Sequence, residues 1–198
     1  MGKKTKFSLF IIESLKYDDE AERCEGRILS DIFQLSGNPV EYLYIRTRKE
    51  FKWAMRRFAK SQMRYLHLSC HGTKTSVKLT LDSLDFCSFG DDIRDYINRR
   101  RIFMSACAVV NDALAQVVLP GTGCHSLIGP RKNINFDDAV LTWASFYHLM
   151  FRDEGAKGMN HASILNALKN IENTYGVGFG YFKKDTNNES EYIKVNII

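Results

Sequence analysis

RYLHLSCHG (residues 64–72) and RRIFMSAC (residues 100–107) decide how the chain is read. Each is an apolar run of strand length that stops at a reactive side chain: His71 followed by Gly72 in the first, Cys107 in the second. If both strands lie in one parallel sheet, their carboxyl ends share an edge, where open α/β sheets gather ligands and chemistry. A thiol and its base would then be offered side by side.

Working outward, Lys6 to Ile12 reads as a first buried strand and Val40 to Ile45 as a second. Between them, Asp18 to Leu35 places Ala21, Cys24, Ile28, Ile32 and Leu35 on one predicted helical face, with Gly37 as its stop. Thr47 and Glu50 have the spacing of a capping box for a helix that buries Phe51, Met55 and Phe58 and carries a basic outer face. Strand, helix, strand, helix, strand with short links is the pattern of parallel crossover units. The expected fold class is therefore α/β with a central, mostly parallel sheet.

Past His71, Val77 to Leu81 suits a small strand or hairpin arm outside the main sheet, and Ser88 to Ile97 a short helix capped by Ser88. Asn111 caps a helix through Val118, and the Pro120 to Gly123 turn leads to a short strand, His125 to Ile128. Phe136 to Phe151 forms a helix with Val140, Ala144, Tyr147 and Phe151 inward, and Asn160 caps another that buries Ile164, Leu168, Ile171 and Tyr175. The tail, Val177 to Phe182 and then Tyr192 to Ile197, reads as an edge strand and a hairpin arm.

Composition narrows the classes. A chain of 198 residues, 44% hydrophobic and 26% charged, is expected to be a single domain without a membrane span. Phe7 to Ile12 is too short for the core of a secretory signal. The five cysteines (Cys24, Cys70, Cys87, Cys107 and Cys124) are odd in number and widely spaced, which suits a reducing, cytoplasmic setting better than a disulfide framework. A net charge of +5 spread over scattered residues argues for a solvated basic face and against nucleic acid as a partner.

For chemistry, a thiol that is mostly protonated near neutrality needs a base or a positive potential. His71 supplies the first and the helix opening at Asn111 the second. The backbone N–H groups of Gly72 and Cys107 can form an oxyanion hole. Cys70, His71, Cys87, Cys107, Cys124 and His125 lack paired-ligand spacing, so no metal or other cofactor is expected. Gly176, Gly178 and Gly180 do not run from a strand into a helix and so do not make a phosphate loop. His148, His161, Arg131 and Lys132 read as surface or loop residues.

HLSCHG (67–72) and IFMSAC (102–107) resemble the two catalytic motifs of caspase-like (clan CD) cysteine peptidases, and are most similar to the CHAT branch. The similarity continues through ALAQVVLPGTGCHSLIGP (113–130) and the helix holding Phe146 and Tyr147, with Ala108-Val109-Val110 as a departure directly after the cysteine. The resemblance implies a three-layer caspase-like fold, with His71 as general base, Cys107 as nucleophile, and the Gly72 and Cys107 amides at the oxyanion. It also implies an acidic pocket for a basic P1 side chain, for which Asn135, Asp137 and Asp138 all lie near the expected place. The activity implied is cleavage of a protein substrate, controlled by an activating protein or small-molecule ligand, as in prokaryotic signalling or antiviral defence. Two alternatives stay open: a catalytically silent caspase-like interaction module and a nucleotide-sensing α/β domain.

Overall fold

A strand buried on both faces needs apolar side chains at every position and helices on either side. Phe10, Ile12, Leu66, Leu68, Ile102 and Met104 point to one side of the sheet, and Leu9, Ile11, Tyr65 and Phe103 to the other, all of them buried. The structure, a computed structural model, describes residues 8–151 and 159–197. In chain order the elements are β1 (Leu9–Ser14), α1 (Glu25–Leu35), β2 (Val40–Tyr44), α2 (Arg48–Ser61), β3 (Tyr65–Gly72), β4 (Ser76–Lys78), β5 (Ser83–Asp85) and α3 (Phe86–Ile93). They continue as β6 (Arg101–Ser105), α4 (Asp112–Val118), β7 (Ser126–Pro130), α5 (Phe136–Phe151), α6 (His161–Tyr175), β8 (Phe179–Lys184) and β9 (Tyr192–Val195).

The main sheet runs β2-β1-β3-β6-β7-β8-β9, parallel through β7 and antiparallel beyond it. β4 and β5 branch from the end of β3 as an antiparallel arm. Helices α2, α3 and α4 cover one face through Phe51, Phe58, Phe89 and Leu114, while α1, α5 and α6 cover the other through Leu29, Phe33, Trp143 and Ile164. The chain is thus a three-layer α/β fold with a mostly parallel centre, as expected. No helix among the described residues is long and apolar enough to cross a membrane.

Several local expectations are corrected. The first strand extends to Ser14, and Lys6 and Phe7 lie outside the described residues. The helix expected from Asp18 begins only at Glu25, after a 3-10 turn at Tyr17–Asp19. The Glu13 carboxylate accepts the amides of Gly26 at 2.7 Å and Arg27 at 3.3 Å, which fixes that start and turns Leu29 and Phe33 inward. Ile28 and Leu35, expected inside, are 43% and 89% exposed. Asp85 caps α3 in place of Ser88, and a 3-10 turn at Arg94–Tyr96 follows. α5 buries Trp143, Phe146, Tyr147 and Met150, so the expected face was rotated; a helix apolar nearly all round does not announce its inner side. The strand expected at His125 to Ile128 is Ser126–Pro130. The strand expected at the edge from Val177 lies between β7 and β9, leaving β9 outermost. The caps at Thr47 with Glu50, Asn111 and Asn160 are those read from the sequence.

Candidate active site

Register and alternation bring the two reactive groups together. Glu13 pairs with Ser69, and Ser69 with Ser105, so these residues form a row across β1, β3 and β6. Period-2 alternation carries His71, two residues beyond Ser69 on β3, to the same face as Ser69, and Cys107 lies in the turn directly after β6. Both line one pocket of 470 Å³, shared with Arg23, Glu25, Phe136 and Asp137.

His71 Nε2 lies 3.0 Å from Asp19 Oδ2 in the 3-10 turn after β1. Asp19 Oδ1 accepts from Arg23 Nη1 at 2.9 Å, and Arg23 lies over the Phe136 ring at 5.3 Å. The edge-to-face contact between Phe136 and His71, with centroids 5.7 Å apart, closes the ring of contacts. Burial pushes the His71 pKa below its ordinary value, although the bond to Asp19 pulls the other way. The imidazole is therefore neutral near pH 7. With Nε2 donating to a carboxylate, the neutral ring keeps its lone pair on Nδ1. The Cys107 thiol donates to the Ile134 carbonyl at 3.6 Å.

The turn after Cys107 explains its apolar sequence. Val109 and Val110 are fully buried. A Cβ on Gly72 would stand 2.0 Å from Val109, and Cβ atoms on Gly129 and Gly180 would stand 2.7 and 2.9 Å from Val110. Three glycines thus make room for the valines, which anchor the loop in the core. Ala108 takes a φ of 55°, donates its N–H to Lys132 O at 3.2 Å, and its carbonyl accepts from Asn111 Nδ2 at 3.2 Å. Thr73 N donates to Ser76 O, so the adjacent Gly72–Val77 pair is of the non-hydrogen-bonded kind. The Gly72 N–H consequently points away from β4. Thr80, between β4 and β5, donates its N–H to Ser14 Oγ at 3.0 Å, which places the arm on the β1 side of β3 and directs the Gly72 amide to the opposite, β6 side.

Beneath this rung lies a buried acid. Glu25 Oε2 accepts from Ser69 Oγ at 3.1 Å and Ser105 Oγ at 2.7 Å. Glu25 Oε1 has no hydrogen-bond partner; His67 Nε2 is 3.4 Å away but misaligned, and is itself unpartnered. His67 Nδ1 is engaged by the Tyr147 hydroxyl at 2.8 Å.

Of the other expected site residues, Asn135 and Asp137 line the pocket, whereas Asp138 does not and pairs with Asn135 Nδ2 at 3.4 Å. Burial pushes the Cys70 and Cys124 thiols up to about 12, and raises Cys24 as well, while Cys87 is exposed. Among the described residues, no group of three or more His, Cys, Asp or Glu side chains is gathered as for a metal. Gly180 lies against Val110 and Arg131, as close strand packing requires. His148 is exposed and His161 bonds the Tyr181 hydroxyl at 3.0 Å. Sequence reasoning missed Asp19, Arg23, Glu25 and Phe136, because the first three were absorbed into an overlong helix. Glutamate ending the apolar strand LFIIES was the signal that something polar is buried there. No protein-family model matches the sequence, and no curated protein does.

Proposed function

We propose that this chain is a cysteine endopeptidase of the caspase-like, CHAT type. The observation that supports it is the placement of His71 and Cys107 in one pocket at the carboxyl ends of adjacent parallel strands, with Asp19 bonded to the imidazole. As substrate enters, the thiol leaves the Ile134 carbonyl and His71 Nδ1 takes its proton. Cys107 Sγ then attacks the peptide carbonyl carbon, and the oxyanion accepts from the Gly72 and Cys107 amides. The His71 proton passes to the leaving amine as the C–N bond breaks, leaving a thioester. His71 next draws a proton from water, whose oxygen displaces Cys107 Sγ and regenerates the thiol.

The pocket suits a basic P1 side chain. Glu25 and Asp137 line it, and the charge of Arg23 is already matched by Asp19. Of the acidic candidates read from sequence, Asp137 contributes to this lining; Glu25, which was not among them, takes the deeper position. The substrate is a protein, and control falls to another chain or a ligand, as in signalling or defence systems.

An electrophilic peptide with a P1 arginine tests the reading. It should label Cys107 ahead of exposed Cys87, and His71→Ala should reduce labelling to the Cys87 level; equal labelling of both in the native chain would defeat it. One observation favours a silent interaction module instead: the resting thiol bonds to Ile134 rather than His71. On that reading Cys107→Ala leaves the biological effect unchanged.

A further inference from the structure

Glu13 has no part in the chemistry above, yet it stands directly behind the pocket floor and is fully buried, with Glu25 only 3% exposed. Ser69 Oγ lies between them, 3.2 Å from Glu13 Oε1 and 3.1 Å from Glu25 Oε2. A hydroxyl carries one proton and gives a full hydrogen bond to one acceptor. Its second contact is favourable when the other carboxyl itself brings a hydrogen. Two ionised carboxylates bridged by a single hydroxyl, both out of water, repel each other as the paired acids of other buried dyads do.

Among the described residues no lysine or arginine is paired with either carboxyl, and His67 Nε2, 3.4 Å from Glu25 Oε1, is a positive charge only when protonated. Glu13 receives the Gly26 and Arg27 amides and the Tyr42 hydroxyl, at 2.7, 3.3 and 2.8 Å. Glu25 receives the Ser105 hydroxyl. His67 is misaligned toward Glu25 and bonded to Tyr147, Arg23 is paired with Asp19, and the Arg27 side chain is exposed. Cys24 and Cys70 are both shifted up, chiefly by burial and in part by the negative charge of Glu13 and Glu25 respectively. Asp137 adds a further acid at the pocket wall.

We propose that Glu13 and Glu25 hold one proton between them across Ser69, so that Glu13 sets the charge the pocket presents. This rests on the reading that the pocket takes a cationic side chain. A guanidinium or ammonium group settling at Glu25 supplies the missing positive charge, and the shared proton leaves for solvent. Binding of the cation is then coupled to proton release and weakens as pH falls. The proton belongs to the pair, and its titration is a property of both residues.

Benzamidine titrated calorimetrically into the full chain, in buffers of differing ionisation enthalpy, tests this. Binding should release about one proton per ligand near neutral pH. Glu13→Gln should bind about tenfold more tightly, with no proton released. Binding to the unaltered chain without proton release would overturn the sharing. If benzamidine does not bind, the cationic-pocket reading fails, and the proton is decided separately by carboxyl-¹³C NMR of glutamate-labelled protein. A buried carboxyl still protonated near neutral pH, whose signal moves in both Glu13→Gln and Glu25→Gln, supports the sharing. Two fully ionised signals under those conditions refute it.

Discussion

Asp19 restricts what His71 can do. Tied to a carboxylate at 3.0 Å, the imidazole holds one tautomer and one ring orientation, so its other nitrogen has a fixed direction. Asp19→Ala should lower kcat by part of the roughly 10²–10⁴-fold that a positioned base contributes. KM should change little, and iodoacetamide should still alkylate Cys107; a fall in alkylation equal to the fall in kcat would point to a collapsed site. None of this was legible in the sequence, since Asp19 is 52 residues from His71 and sits in a turn that helical periodicity had absorbed. His71 and Cys107 were legible because each ends an apolar run, and a strand end is where a polar side chain escapes the core. Glu25 was hidden for the opposite reason: a glutamate in the first turn of a helix ordinarily faces water.

At the scale of elements, the loop after Cys107 and the end of β3 are fitted to each other. A methyl group on Gly72 would fall 2.0 Å from Val109, a buried β-branched side chain with little room to yield. Gly72→Ala should therefore abolish turnover while the far-ultraviolet circular dichroism stays native, and adding Val109→Ala should restore part of the activity. Failure of the double variant to recover anything would place the defect in the Gly72 backbone instead. Capping signals at Thr47, Asn111 and Asn160 gave correct helix starts because each side chain satisfies an amide within its own turn. The start of α1 was misread because its amides are satisfied from another element, by Glu13 on β1. Long-range caps leave no local spacing to find.

For the whole molecule, parallel order could be read from the alternation of strands and helices and the β8–β9 hairpin from the tail, whereas the antiparallel docking of β8 on β7 depends on contacts that no short window contains. The response to acid follows from two half-buried histidines. Burial lowers the pKa of His71 and His125, and for His125 the neighbouring Arg101, Lys184, Arg64 and Arg99 push in the same direction. The folded chain resists taking these protons while the unfolded chain accepts them below about pH 6.5, so stability is lost as pH falls through that value. Glu13, raised chiefly by burial, has the opposite sign: its contribution is present in acid and fades as pH rises through its folded value. The melting temperature should drop between about pH 7 and pH 5, and His125→Gln should flatten that slope; an unchanged slope would remove His125 from the account. The branching of β3 has a mechanical corollary. Its residues through Cys70 belong to the main sheet, but His71 and Gly72 are zipped to Lys78 and Val77 of the side arm. Base and amide thus hang from a lever, while the sulfur is bolted to the interior through the two valines. On the proposed peptidase reading, a load on the outer surface of β4 and β5 would tilt the imidazole against a stationary sulfur and change the gap between them without disturbing the core.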